Sequence, residues 1–176
     1  MSLTATLKKT RNKIEKALTG EVSDGDERDI LDKLKEEHDE VGELLEQLVK
    51  SERAGERKSL LGKIKAALVP HVRAEEKVVY DAVIALRDKQ PKQDGEEGYL
   101  EHGLADRVLA TLSKIENAMS PEFSAAAKVL KELITHHVEE EERNVWSDVK
   151  KNFTKEDRIS MYHRFQAAKT KARIPS

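Results

Sequence analysis

Apolar residues recur at three- and four-residue intervals along most of the chain. Polar stretches bearing Gly or Pro interrupt them at TGEVSDGD, SERAGE, KQPKQDGEEG and NAMSPEF, with a weaker break near KNFTKED. The pattern predicts helices over approximately 4–18, 26–50, 57–88, 97–118, 121–150 and 155–170. Ser120 is placed to cap the fifth of these, with Pro121 in its first turn, and Thr154 to cap the sixth ahead of Asp157. Four long segments with short or moderate connections predict an all-α fold, an antiparallel four-helix bundle over 26–150. An N-terminal helix and linker (1–25) and a C-terminal helix and tail (151–176) flank it.

The chain also matches itself. EHDEVGELLEQL (37–48) aligns with EHGLADRVLATL (101–112), and HVRAEEKVVY (71–80) aligns with HVEEEERNVW (137–146). The halves therefore read as one helical hairpin used twice about a pseudo-two-fold axis, so that whatever the first half places in the core the second places opposite.

Helical phase sorts the histidines. A four-residue step leaves two side chains about 40° apart around a helix, so HxxxE presents both groups to one face. With 34 acidic residues in 176 and six histidines, roughly one such pairing is expected by chance, so phase rather than the motif decides. His137 and Glu141 continue the line Phe123, Ala126, Leu130, Leu133 and lead to Val145, whereas His136 falls in line with Glu132, Glu140 and Arg143. His71 follows Ile64, Ala67 and Leu68 and precedes Glu75 and Val78. His38 lies between Leu34 and Val41, and His102 precedes Asp106, Leu109 and Leu112. Four helices each turn a histidine toward the apolar side, two with a glutamate in phase. Helical backbone has no spare groups to satisfy four imidazoles, and an unpaired carboxylate in a bundle core costs several kcal/mol. A cation between the helices removes both difficulties.

Composition narrows the choice. Leu, Ala, Glu, Lys and Arg dominate, and there is no cysteine to form a disulfide or a thiolate metal site. The net charge of −2 is spread as mixed-sign patches, which recruit neither nucleic acid nor an anionic membrane. The start MSLTATLKKT lacks the apolar run of a signal peptide, so a cytoplasmic location is expected. The donor set is His38 with His71 and His102 with His137, plus Glu75 and Glu141, which suits two metals bridged by both carboxylates. Imidazole and carboxylate without thiolate suit iron or manganese better than structural zinc, and iron is the expected metal, with manganese or zinc as alternatives. Glu76, Glu142 and Asp106 are candidate outer or additional ligands, and Lys169, Lys171 and Arg173 read as a solvated basic tail. Four residues after His38 stands Gly42, and four after His102 stands Asp106. This predicts an open position at the first metal and a carboxylate at the second.

The order His38, H71xxxE75, His102, H137xxxE141, with Tyr80 and Trp146 at matching places, resembles the hemerythrin-like, HHE cation-binding family over roughly 28–150. The resemblance implies two iron ions with an oxo or hydroxo bridge, meeting O2, peroxide or NO as a small ligand. Oxygen-carrying members have a further histidine where this chain has Asp106, and an aspartate five residues after the last histidine where this chain has Glu142. The functions it leaves open are an oxidoreductase consuming O2, peroxide or NO, a non-enzymatic O2 or iron sensor or store, and a metal-free helical interaction protein.

Overall fold

The computed structural model describes residues 27–174. The expected helix at 4–18 and the domain 1–25 lie outside the described residues. Within them the fold is all-α, with no strand. The helices are α1 (Ile30–Lys50), α2 (Ala54–Glu75), a wide turn (Glu76–Tyr80) leading into α3 (Asp81–Ile84), α4 (Lys89–Lys114), α5 (Pro121–Arg143), α6 (Val145–Asn152) and α7 (Lys155–Lys169). No helix among the described residues is long and apolar enough to cross a membrane.

Local chemistry sets the boundaries. Asp29 caps α1 by accepting from the Leu31 amide, and Ser120 caps α5 by accepting from Phe123. Thr154 caps α7 as the sequence predicts, and with Asp157 it forms a reciprocal capping box. The expected loop at KQPKQDGEEG is a correction. The chain breaks at 85–88 instead, and α4 runs straight through Pro91, Gly95 and Gly98. Pro91 falls in the first turn, where its missing N–H would have no helical partner in any case. The two glycines serve packing rather than turning. A Cβ on Gly95 would stand 2.7 Å from the Ile84 Cγ1, and one on Gly98 would stand 2.5 Å from the Tyr80 Cζ.

This gives the first expected outcome. Alanine at either glycine gains about 1 kcal/mol of helix propensity. Ile84 is a flexible partner, but the Tyr80 ring is fully buried and has nowhere to go. Gly98→Ala should therefore cost roughly 1–3 kcal/mol in urea unfolding while Gly95→Ala costs less. Equal costs would show that the Tyr80 ring is not held as described.

α1 packs on α2 and α5, α4 on α5 and α2, and α7 on α2 and α1. Two apolar clusters result. One gathers Val41, Leu45, Leu68, Leu109 and Leu130, and the other Ile30, Leu34, Val79, Tyr80, Trp146 and Phe165. Along each long helix and the turn or helix that continues it, the buried histidine falls between residues of the first cluster and residues of, or packed against, the second: Leu34 and Val41 around His38, Leu68 and Val78 around His71, Tyr99 and Ala105 around His102, Ile134 and Val145 around His137. A polar layer is thus sealed between two apolar ones.

Both HxxxE segments end in a distorted turn. After Glu75, the Asp81 N–H bonds the Glu76 carbonyl five residues back, so Val78, Val79 and Tyr80 are buried in succession. Such wide turns concentrate at functional sites. After Glu141, the matching break is at Asn144, between α5 and α6.

Candidate metal centre

The polar layer holds His38 (α1), His71 and Glu75 (α2), His102 (α4), and His137 and Glu141 (α5), each 6% exposed or less. The histidines meet in two pairs. Ring centroids are 5.1 Å apart for His38 and His71, and 4.7 Å for His102 and His137. The carboxylates lie between the pairs. Glu75 Oε2 is 3.4 Å from His71 Nε2 and 3.5 Å from His102 Nε2, while Glu141 Oε2 is 3.4 Å from His38 Nε2 and 3.8 Å from His137 Nε2. Each carboxylate therefore touches one imidazole from each pair. Ligand atoms of His38, His71 and Glu75 lie within 4.8 Å of one another, as do those of Glu75, His102 and His137.

The outward nitrogens show why Nε2 faces in. His38 Nδ1 is 3.1 Å from Glu142, His71 Nδ1 is 3.0 Å from Glu37, His102 Nδ1 is 3.2 Å from Glu76, and His137 Nδ1 is 2.6 Å from Glu101. An Nδ1–H donating to a carboxylate fixes the tautomer and leaves the Nε2 lone pair pointing inward, the usual arrangement of metal-bound histidine. The four links run from α1 to α2, from the wide turn after α2 to α4, from α4 to α5 and from α5 back to α1, closing a ring.

Glu76 and Glu142 appear where the sequence offered them. Glu37 and Glu101 do not follow from the helical stripe, and the signal that finds them is the EH pair repeated at the start of both aligned segments. Asp106 is a correction: its side chain is 36% exposed and paired with Arg73. Arg73 in turn bonds Glu76, so Asp106 stands outside the ring. Gly42 is another, since it is exposed, with nothing within 4 Å of where its Cβ would lie. Lys169 is not tail, because its ammonium donates to Glu37 at 2.6 Å, and Lys33 lies 3.0 Å from the same oxygen. Phe165 sets its ring edge to His71 at 5.8 Å. Trp146 stacks on His38 at 5.8 Å, and Tyr80 lies over His102 at 5.2 Å with its hydroxyl 3.5 Å from His137 Nε2.

Fit to a cation can be judged from the orphaned atoms. Both oxygens of Glu75, both of Glu141, and His38 Nε2 are buried without a hydrogen-bond partner. Without a cation the two carboxylates behave oppositely. Burial works against the Glu75 anion, yet His71 above all, with His102 and His38, holds it well below the usual carboxylate range. Burial, and then the Glu75 charge, pushes Glu141 well up. Burial also pushes His38 and His102 down. His71 resists burial because Glu75 and Glu37 face it, and rises to about 9. Burial raises Glu37 as well, but its bonds to His71 and Lys169 prevail and bring it to about 2. Divalent cations between the histidine pairs would satisfy these five atoms and displace the protons that remain.

A pH dependence follows. His71 is raised from 6.5 to about 9, so its proton stabilises the metal-free fold below pH 6.5 and that contribution is lost as pH rises through 9. Glu141, also raised, acts in the same direction, whereas the depressed Glu37, Glu101 and Glu142 act only at acid pH. Metal-free protein should therefore lose on the order of 2–3 kcal/mol between neutral and alkaline pH. Metal-loaded protein should show no such slope and should instead weaken on acidification, as protons compete for the ligands. Urea midpoints for the metal-free chain that stay flat over this range would refute it.

A DNA nickase of Nostoc sp. (strain PCC 7120) is 28% identical over 149 residues, which are 85% of this chain and 41% of that protein. The chain thus spans well under half the length of the curated relative it matches. No solved structure gives a significant match. The family model of the hemerythrin HHE cation-binding domain matches residues 29–147, a stretch that contains all four histidines and both glutamates, and the chain belongs to that family.

Proposed function

We propose that the chain is a non-haem di-iron protein that binds or reacts with O2, peroxide or NO. The observation that carries this reading is the set of four histidines, each tethered outward by a carboxylate, around two buried carboxylates with no partner. His38 and His71 would hold one ion, His102 and His137 the other, with Glu75 and Glu141 shared. The reading takes the long helices as an antiparallel bundle, which the short connections at 51–53, 85–88 and 115–120 support. Bound iron would supply one-electron chemistry toward O2, peroxide or NO.

The chain's own residues decide what arrives. A cavity of about 10 Å³ beside His38 and His71 is walled mainly by Val41, Leu68, Val72, Ile134 and Val138, and Glu37 and His137 also line it. Such a volume admits about one water-sized molecule, and its apolar wall favours a neutral diatomic over an ion. This cavity, and not a gap at Gly42, is where we place the small ligand. Tyr80 brings a buried hydroxyl to the other pair.

The test begins with metal analysis of protein purified without added metal, for which about two irons per chain are expected. The reduced protein then meets O2 or peroxide without air. Reversible uptake marks a sensor or store, and repeated consumption marks an oxidoreductase. Val138→Phe should keep both irons and slow the reaction about tenfold or more by filling the cavity, whereas Gly42→Leu should change nothing. Undiminished reactivity in Val138→Phe would overturn the assignment, and absence of metal from every preparation would favour a helical interaction protein.

The relative's name supplies a second reading, nicking of DNA. A groove of about 830 Å³ lined by Arg73, Lys77, Arg164, Lys171 and Arg173 favours it. We place it second because the centre's cavities are too small for a phosphodiester. Conversion of supercoiled plasmid to open circle by wild type but not by Glu75→Ala would reverse that order.

A further inference from the structure

Beside His137 lies a second small cavity of about 20 Å³, again sized for roughly one water. Its character is opposite to that of the apolar one. Its lining includes exposed Glu97, half-buried Glu101 and Glu140, and buried Asp94, His137 and Glu141. At its mouth Glu101, Glu140 and the exposed His136 bring one ligand atom each within 4.8 Å of one another. His136 Nε2 is 3.5 Å from Glu140 Oε2 and 4.0 Å from Glu101 Oε1. Arg143 occupies the other Glu140 oxygen at 3.1 Å, which leaves Oε2 to face His136.

The acidic cluster does not stand alone. The cavity ends on Glu141, which is 3% exposed and has no hydrogen bond at either oxygen. Glu101 connects the two levels, with Oε1 toward His136 outside and Oε2 2.6 Å from His137 Nδ1 inside. The opposite side offers nothing comparable, because Glu37 is already held by Lys33 and Lys169 and the cavity there is apolar.

We propose that Glu101, His136 and Glu140 form a loading site for divalent cations, which pass from it through the acidic cavity to His137 and Glu141. Ions enter on this side and neutral small molecules on the other. The proposal rests on the di-metal reading. Carboxylates gathered at a mouth raise the local cation concentration and the association rate by tenfold or more, an effect that salt suppresses.

The test follows metal uptake by the metal-free chain of 176 residues. Fe2+ is mixed in without air, and the fluorescence of Trp146 is read, since it is the chain's one tryptophan and stacks on His38. His136→Ala and Glu140→Gln should each slow loading, and together by about tenfold or more, with a flatter salt dependence and two ions still bound at the end. Glu139→Gln, an exposed change on the same turn of α5, should load like wild type, and melting curves check that every variant is folded. Loading at the wild-type rate in the double variant overturns the proposal. So does a lowered final stoichiometry, which would make these residues part of the centre itself, and so does equal slowing by Glu139→Gln. A wild-type chain that takes up no metal overturns the di-metal reading and this inference with it.

Discussion

Glu75→Ala is expected to empty both halves of the centre at once, whereas His38→Ala removes one ion. Glu75 lies at nearly equal distances from one imidazole of each pair, 3.4 Å and 3.5 Å, and it belongs to both groups of converging ligands. Without it, each ion loses a charged ligand, and Glu141 is left alone between two divalent charges. Metal content should fall from about two per chain to near zero. Glu101→Gln, which loosens the orientation of His137 without removing a ligand, should weaken binding by roughly 10–100-fold and leave stoichiometry intact at saturating iron. Elemental analysis after gel filtration decides between these outcomes, and a Glu75→Ala chain that keeps one tightly bound ion would show that the carboxylate is not shared.

Chelation should lower the melting temperature by about 5–10 °C. Metal present at a hundredfold excess over Kd contributes about 2.7 kcal/mol by linkage alone, and each kcal/mol corresponds to roughly 2–4 °C for a chain of this size. The polar layer separates two apolar clusters, so its stress reaches both. Removing the ions leaves five buried atoms without partners, with Glu75 held as an anion and Glu141 pushed toward its neutral form. Scanning calorimetry of loaded, chelated and reloaded protein checks the effect, and an unchanged midpoint after complete removal would show that the fold does not depend on the ion.

Helical phase was enough to select the four inward histidines and the two glutamates between them, because each continues an apolar stripe. The stripe also explains two errors. Beyond His38 the buried line goes to Val41 and Leu45, and beyond His102 to Ala105 and Leu109, three and then four residues on. A uniform step of four carries Gly42 and Asp106 inward, where the helix carries them to its flank. Glu37 and Glu101 escaped for a related reason. They reach sideways to a neighbouring helix, and nothing in the periodicity of one helix reports the helix beside it. The glycines of α4 misled because Gly95 and Gly98 look like a turn until Ile84 and Tyr80 are seen against them. The break at Asn144 and the wide turn after Glu75 left no trace in composition.

The ring of glutamates and histidines has a direction. Each long helix holds the histidine of the next and has its own held by the one before, so the four make a closed circuit of grips rather than two independent clasps. Apolar stripes built largely of Leu, Val and Ala tolerate sliding or swivelling, since many offsets bury similar area. The circuit does not. Advancing one helix by a single residue turns it about 100° and breaks two grips together, which would leave a bare carboxylate and a misdirected imidazole in the interior. The centre thus works as a keyway: it tells four interchangeable-looking helices which rotation is theirs before any ion arrives.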